Sequence, residues 1–102
     1  MGFIASLFRA NQTDFKDLRA TGARIIDVRT PAEFSAGSIK ESVNIPLDQL
    51  QKNMTNLKKN KLPIIVCCAS GHRSGNAKSI LEKQGFEVYN GGSWKSLQQK
   101  IS

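Results

Sequence analysis

Ile65-Val-Cys-Cys-Ala-Ser-Gly-His-Arg-Ser74 is the stretch on which the reading of this chain turns. An apolar run that starts at Ile64, just after Pro63, ends in two adjacent cysteines. A short loop then leads to a helical pattern beginning near Ser74. A strand that passes through a tight loop into a helix aims several backbone N–H groups at one point. The first N–H groups of the helix lack internal partners, and its dipole adds partial positive charge. Such a nest binds anions, and a cysteine at its edge is expected to have a lowered pKa. Gly71 allows the backbone angles a tight loop needs. Arg73 adds a positive charge and a fork suited to an oxyanion. Cys68, Ala69, Ser70, Gly71, His72, Arg73 and Ser74 therefore describe a nucleophile in an anion cradle. Cys67 belongs to the strand, where alternation turns it away from its neighbour, and reads as a small buried apolar residue.

Working outward, short apolar runs alternate with helical patterns. Thr13 is a candidate N-cap with Asp14 in the first turn; Phe15 and Leu18 share a face, and Gly22 ends that helix. Ile25-Ile-Asp-Val28 reads as a buried strand. Thr30-Pro-Ala-Glu33 has a capping threonine, proline at the first helical position and the glutamate of a capping box. Val43-Asn-Ile45 is a short strand closed by Pro46, and Leu47, Leu50, Met54 and Leu57 recur at helical spacing. Ala77, Ile80 and Leu81 form one face of the helix from Ser74 to Gln84, which Gly85 ends. Phe86-Glu-Val-Tyr89 is the last strand, Asn90-Gly-Gly92 a turn, and Trp94, Leu97 and Ile101 fit a final helix. This alternation implies an α/β fold, a mainly parallel sheet with helices on both faces. In such sheets the site lies beyond the carboxyl ends of the strands, where Cys68 falls.

The totals agree with one domain. The chain has 102 residues, 39% hydrophobic and 23% charged, with a net charge of +7. Residues 13–102 read as that domain and residues 1–12 as an apolar N-terminal arm. The arm satisfies the M-G-x-x-x-[ST] myristoylation pattern through Gly2 and Ser6, a pattern short enough to match often by chance. Met1 to Phe8 is too short for a signal peptide, no run is long enough to span a bilayer, and cytoplasm is the expected location. Lys52, Lys58, Lys59 and Lys61 read as a solvated face; no aromatics interleave with them, so no nucleic-acid partner is expected. The positive field favours small anionic substrates. His72 is the single histidine and the two cysteines are adjacent, so no metal site and no disulfide are expected.

Cys68-Ala-Ser-Gly-His-Arg-Ser74 resembles the C-x-x-G-x-R-S loop of the rhodanese-like domain family of sulfurtransferases. Ile26-Asp-Val-Arg29 with Pro31, Glu33 and Phe34 resembles the family's D-V-R-x-x-x-E-[FY] segment. Gly37, Ile39 and Val43-Asn-Ile-Pro46 resemble its next stretch, and Gly85 to Val88 with Gly91-Gly92 its closing pattern. Glu41 and Ser42 stand where the family usually has Gly-Ala. The resemblance implies a five-stranded, mainly parallel sheet and Cys68 as the nucleophile that carries a persulfide. Sulfane sulfur would pass from a small anionic donor such as thiosulfate to a thiol or protein cysteine, without a metal or other cofactor. Asp27, Arg29 and Glu33 would support the loop, with Glu33 an ionic partner of Arg29. From the residues alone, Asp27 is a strand-end polar residue and Arg29 a turn residue, and their function stays open. His72 reads as facing the entrance.

Two alternatives stand beside this reading. The domain could be a persulfide relay or partner-binding module with little free turnover. It could also be a cysteine phosphatase, since Cys67 to Arg73 has the C-x-x-x-x-x-R spacing. Counted from Cys68 the loop is one residue shorter and makes a smaller cradle, better suited to sulfur than to phosphate. Oligomeric state is not legible.

Overall fold

A computed structural model describes residues 13–102; the arm expected over residues 1–12, with its myristoylation pattern, lies outside the described residues. Three strands carry the core: β1 (Arg24–Asp27), β3 (Ile64–Cys68) and β4 (Val88–Ser93). A short β2 (Val43–Asn44) completes a sheet of order β2-β1-β3-β4, and every pairing is parallel. Among the described residues five α-helices accompany it: α1 (Phe15–Ala20), α2 (Pro31–Ala36), α3 (Met54–Leu57), α4 (His72–Lys83) and α5 (Trp94–Ile101).

The expected fifth strand is not found among the described residues. The segments between the four strands are taken up by helices and turns, which leaves no further extended run of described sequence to pair. Other boundaries moved for local reasons. The Asp14 side chain, not that of Thr13, accepts the Asp17 N–H and caps α1. The pattern over Leu47–Leu57 is two 3₁₀ turns, Leu47–Gln49 and Gln51–Asn53, followed by α3, and no side chain caps any of them.

Alternation along the strands divides the core into two layers. Ile26, Val28, Ile64, Val66 and Cys68 face Leu50, Met54, Leu57, Ala77 and Leu81. Ile25, Ile65 and Cys67 face Phe15, Ile39 and Leu97 on the other side. Burial of each large aliphatic side chain here contributes about 1.5–3 kcal/mol. Because β3 is covered on both faces, it reads as a continuous apolar run.

The last strand starts later than the sequence suggests and runs through the glycine pair. Val66 pairs with Asn90 but Cys67 pairs with Gly92, so Gly91 is extra in the register. A Cβ on Gly91 would lie 2.8 Å from Leu97 Cδ2 and 3.1 Å from the Val66 carbonyl oxygen. The pair that reads as a turn is therefore a bulge, placed where sheet and α5 approach too closely for a side chain. Among the described residues no helix is long and apolar enough to cross a membrane.

Candidate active site

The loop between β3 and α4 is tighter than the sequence suggests. Cys68 is still strand, and α4 begins at His72 with Gly71 as its N-terminal flank at φ +99°. This left-handed residue turns the chain from sheet to helix within three residues and points the loop amides inward. Gly71 N–H donates to Cys68 Sγ at 2.9 Å and Ser74 N–H at 3.4 Å. The thiol in turn lies 3.4 Å from Ser74 Oγ. Burial pushes the Cys68 pKa up, but hydrogen bonding with the Ser74 side chain and from the Ser74, Gly71 and Ser70 N–H groups outweighs it, and the net shift is downward. The sulfur is covered: Cys68 and Ser74 are both 0% exposed, while Ala69 and Ser70 are exposed. The sulfur thus has no exposed surface of its own, although the two residues that follow it are open to solvent.

Cys67 points into the opposite layer. Burial, then the Asp27 charge, push its pKa up to about 12. The two cysteines differ because one meets N–H donors and the other meets hydrocarbon and a carboxylate.

The charged residues pair differently from expectation. Glu33 is not the ionic partner of Arg29. Arg29 is buried and pairs with buried Asp27, Nε to Oδ1 at 2.9 Å and Nη2 to Oδ2 at 2.7 Å. Its remaining donors reach the carbonyls of Glu33 and Gly37 at 3.3 and 2.7 Å, and its guanidinium lies 4.9 Å from the Trp94 ring centroid. A buried carboxylate two residues away needs that charge more than a half-exposed one does. The Glu33 carboxylate instead takes the Arg73 fork, at 2.7 and 2.9 Å. Glu33 also accepts the Thr30 N–H at 3.0 Å, so one side chain caps α2 and ties it to α4. The Arg73 bonds and the Thr30 N–H hold its pKa down to about 2. The fork read as free for an oxyanion is thus occupied by Glu33. His72 heads α4 with an exposed side chain, and none of the hydrogen bonds described for Cys68 Sγ comes from it.

Two further residues shape the site. Asn44 Nδ2 donates to the carbonyls of Asp27 and Arg29, both at 3.0 Å, and fixes the end of β1. Asn90 accepts the Ser74 hydroxyl at 2.6 Å. Sequence reasoning passed over Asn90 because Asn-Gly-Gly reads as a turn; only its alignment opposite Val66 brings it to the loop. Among the described residues no three His, Cys, Asp or Glu side chains cluster as a metal site would require.

A parallel α/β sheet with a cysteine in an amide-lined loop at a strand's carboxyl end defines a class of protein, and comparison with known proteins agrees. The Rhodanese-like domain model matches residues 11–100, and the chain belongs to that family. It is 41% identical over 81 residues to the uncharacterized protein YqhL of Bacillus subtilis, covering 78% of this chain and 64% of that one, less than two thirds of its length. It is 32% identical over 74 residues to the thiosulfate sulfurtransferase PspE of Escherichia coli, covering 71% of each. The solved structure of a rhodanese with anions from E. coli superposes with a TM-score of 0.68 at 31% identity, covering 74% of this chain and 91% of that one.

Proposed function

We propose that this domain is a sulfurtransferase that carries sulfur on Cys68. The observation that carries the reading is the convergence of the Gly71 and Ser74 N–H groups on Cys68 Sγ, which lowers the thiol pKa despite burial. The Cys68 thiolate attacks the sulfane sulfur of a donor such as thiosulfate. A bond forms between the two sulfurs, the donor's S–S bond breaks, and sulfite leaves with that electron pair. The persulfide keeps one negative charge on its outer sulfur, which the loop amides are suited to hold. An acceptor thiolate then takes that sulfur and returns the Cys68 thiolate, a covalent two-stage transfer. The relatives named sulfurtransferases support the reaction class.

The covered sulfur favours a second form of the same chemistry. A donor reaches Sγ only after the groups around it move, and a protein partner that binds the exposed Ala69 and Ser70 would favour that movement. A relay between proteins fits that constraint. The phosphatase reading does not fit, because Cys67 lies in the opposite layer with its pKa near 12.

Mass spectrometry after incubation with thiosulfate tests the proposal. One added sulfur is expected on the peptide containing Cys68. It should persist in Cys67→Ala and vanish in Cys68→Ser. Failure of every sulfane donor to load wild-type protein refutes sulfur transfer.

A further inference from the structure

Ser74 is buried beneath the loop, and its single hydroxyl proton has two possible takers. Ser74 Oγ lies 2.6 Å from Asn90 Oδ1 and 3.4 Å from Cys68 Sγ. The amide of Asn90 is oriented by its own bonds. Gly92 N–H donates to Oδ1 at 2.9 Å, and Nδ2 donates to the Gly71 carbonyl at 3.4 Å. An amide oxygen carries no hydrogen, so the 2.6 Å contact holds the Ser74 proton. The sulfur therefore faces a lone pair of Ser74 Oγ. That contact is a hydrogen bond only while the sulfur has its own proton to donate. The Gly71 and Ser74 N–H groups, in contrast, donate to sulfur in either state.

We propose that Asn90 is a positioning residue for Cys68, holding the Ser74 proton away from the sulfur and so opposing part of the ionisation that the loop amides favour. It rests on the reading of Cys68 as the nucleophile, but its test does not require turnover. When Cys68 ionises, its proton leaves to solvent. The Ser74 hydroxyl then turns from Asn90 Oδ1 to Sγ, and Asn90 Oδ1 keeps the Gly92 N–H. The stabilisation that Ser74 lends the anion is thus reduced by the loss of a short hydrogen bond to Asn90. Asn90 opposes the charge that the loop amides favour, which limits thiolate formation until the hydroxyl is released. The reach depends on register: Asn90 stands opposite Val66, two residues before Cys68, on the strand beside it.

Replacing Asn90 also removes its bonds to the Gly71 carbonyl and the Gly92 N–H. A Ser74→Ala background separates that contribution from the one that runs through the hydroxyl. The charged groups near the sulfur pair elsewhere. Arg73 of α4 acts on Cys68 electrostatically, with Glu33 of α2 paired to it. Asp27 and Arg29 pair at the end of β1, Cys67 adjoins within β3, and His72 heads α4.

The test is a titration of Cys68 by its ultraviolet thiolate absorbance, taken as the difference from Cys68→Ser. Asn90→Leu removes the acceptor at similar size. Its midpoint should fall by roughly half to one pH unit, a three- to ten-fold gain in thiolate below the midpoint. Asn90→Asp keeps the oxygen and adds charge, and its midpoint should rise. In a Ser74→Ala background, Asn90→Leu should shift the midpoint far less, because the main effect runs through the hydroxyl. An unchanged or raised midpoint in Asn90→Leu overturns the proposal, and so does an equal shift with and without Ser74. If Asn90→Leu does not fold, Asn90→Asp compared with and without the Ser74 hydroxyl decides: a rise that needs the hydroxyl supports the proposal, and a rise of the same size without it refutes it. Sulfur loading of wild-type protein is scored apart, so failure of sulfur transfer and failure of this proposal give different results.

Discussion

At the scale of single residues, what distinguishes neighbours is the set of atoms each side chain meets. Cys67 and Cys68 share a peptide bond, yet burial against Asp27 raises one thiol while N–H donors lower the other. Glu33 shows the same dependence in acid form. Its carboxyl is held from the ordinary 4.5 down to about 2 by the Arg73 fork and the Thr30 N–H. A carboxyl whose folded pKa is depressed contributes stability above its unfolded pKa and loses it as pH falls through the folded value. Wild-type protein should therefore lose thermal stability between about pH 4.5 and 2 more steeply than Glu33→Gln. Melting temperatures of both proteins across that interval check this. Parallel curves would mean that the Glu33–Arg73 pair does not form in solution.

At the scale of elements, the decisive feature is how closely α5 sits on the sheet. Gly91 occupies the bulge of β4, where a methyl group would press on Leu97, Ile65 and the Val66 carbonyl. The carbonyl belongs to the β3 ladder and cannot retreat without disturbing the strand that carries Cys68. Gly91→Ala should cost about 1–3 kcal/mol, the usual range for overpacking. For a chain of this size each kcal/mol lowers Tm by about 4–8 °C. It should also weaken sulfur loading, because the clash falls on the Val66 carbonyl, in the strand that carries Cys68. Thermal unfolding within error of wild type would show that the helix gives way instead.

At the scale of the whole molecule, the Asp27–Arg29 pair joins the β1 end to the rest of the fold. The Arg29 side chain donates to Asp27, Glu33 and Gly37 and lies under Trp94, linking β1, α2 and α5. Arg29→Ala would leave Asp27 as an uncompensated buried charge, at a cost of about 3–5 kcal/mol. That is a large part of the 5–15 kcal/mol by which a domain is typically stable, about a fifth or more. Arg29→Lys should recover less than half, since an ammonium cannot form the planar fork or the ring stacking. Urea unfolding gives both numbers, and a Lys variant equal to wild type would show that charge alone suffices.

The amino-acid sequence by itself determined the alternation of strands and helices, the capping box at Thr30, the burial of β3 and the place of Cys68 at its carboxyl end. Those features depend on periodicity, end chemistry and short spacing, all of which are local. Only the tertiary structure decided which charges pair, since α2 and α4 meet through a crossover that no local spacing encodes, and this gave Glu33 to Arg73 and left Arg29 to Asp27. It also decided that Asn90-Gly-Gly92 is a bulged strand, because the demand for glycine at position 91 comes from Leu97 and Ile65, which β3 and α5 bring against it. For the same reason Asn90 was illegible as part of the site: it reaches Ser74 only after β4 has taken its register beside β3.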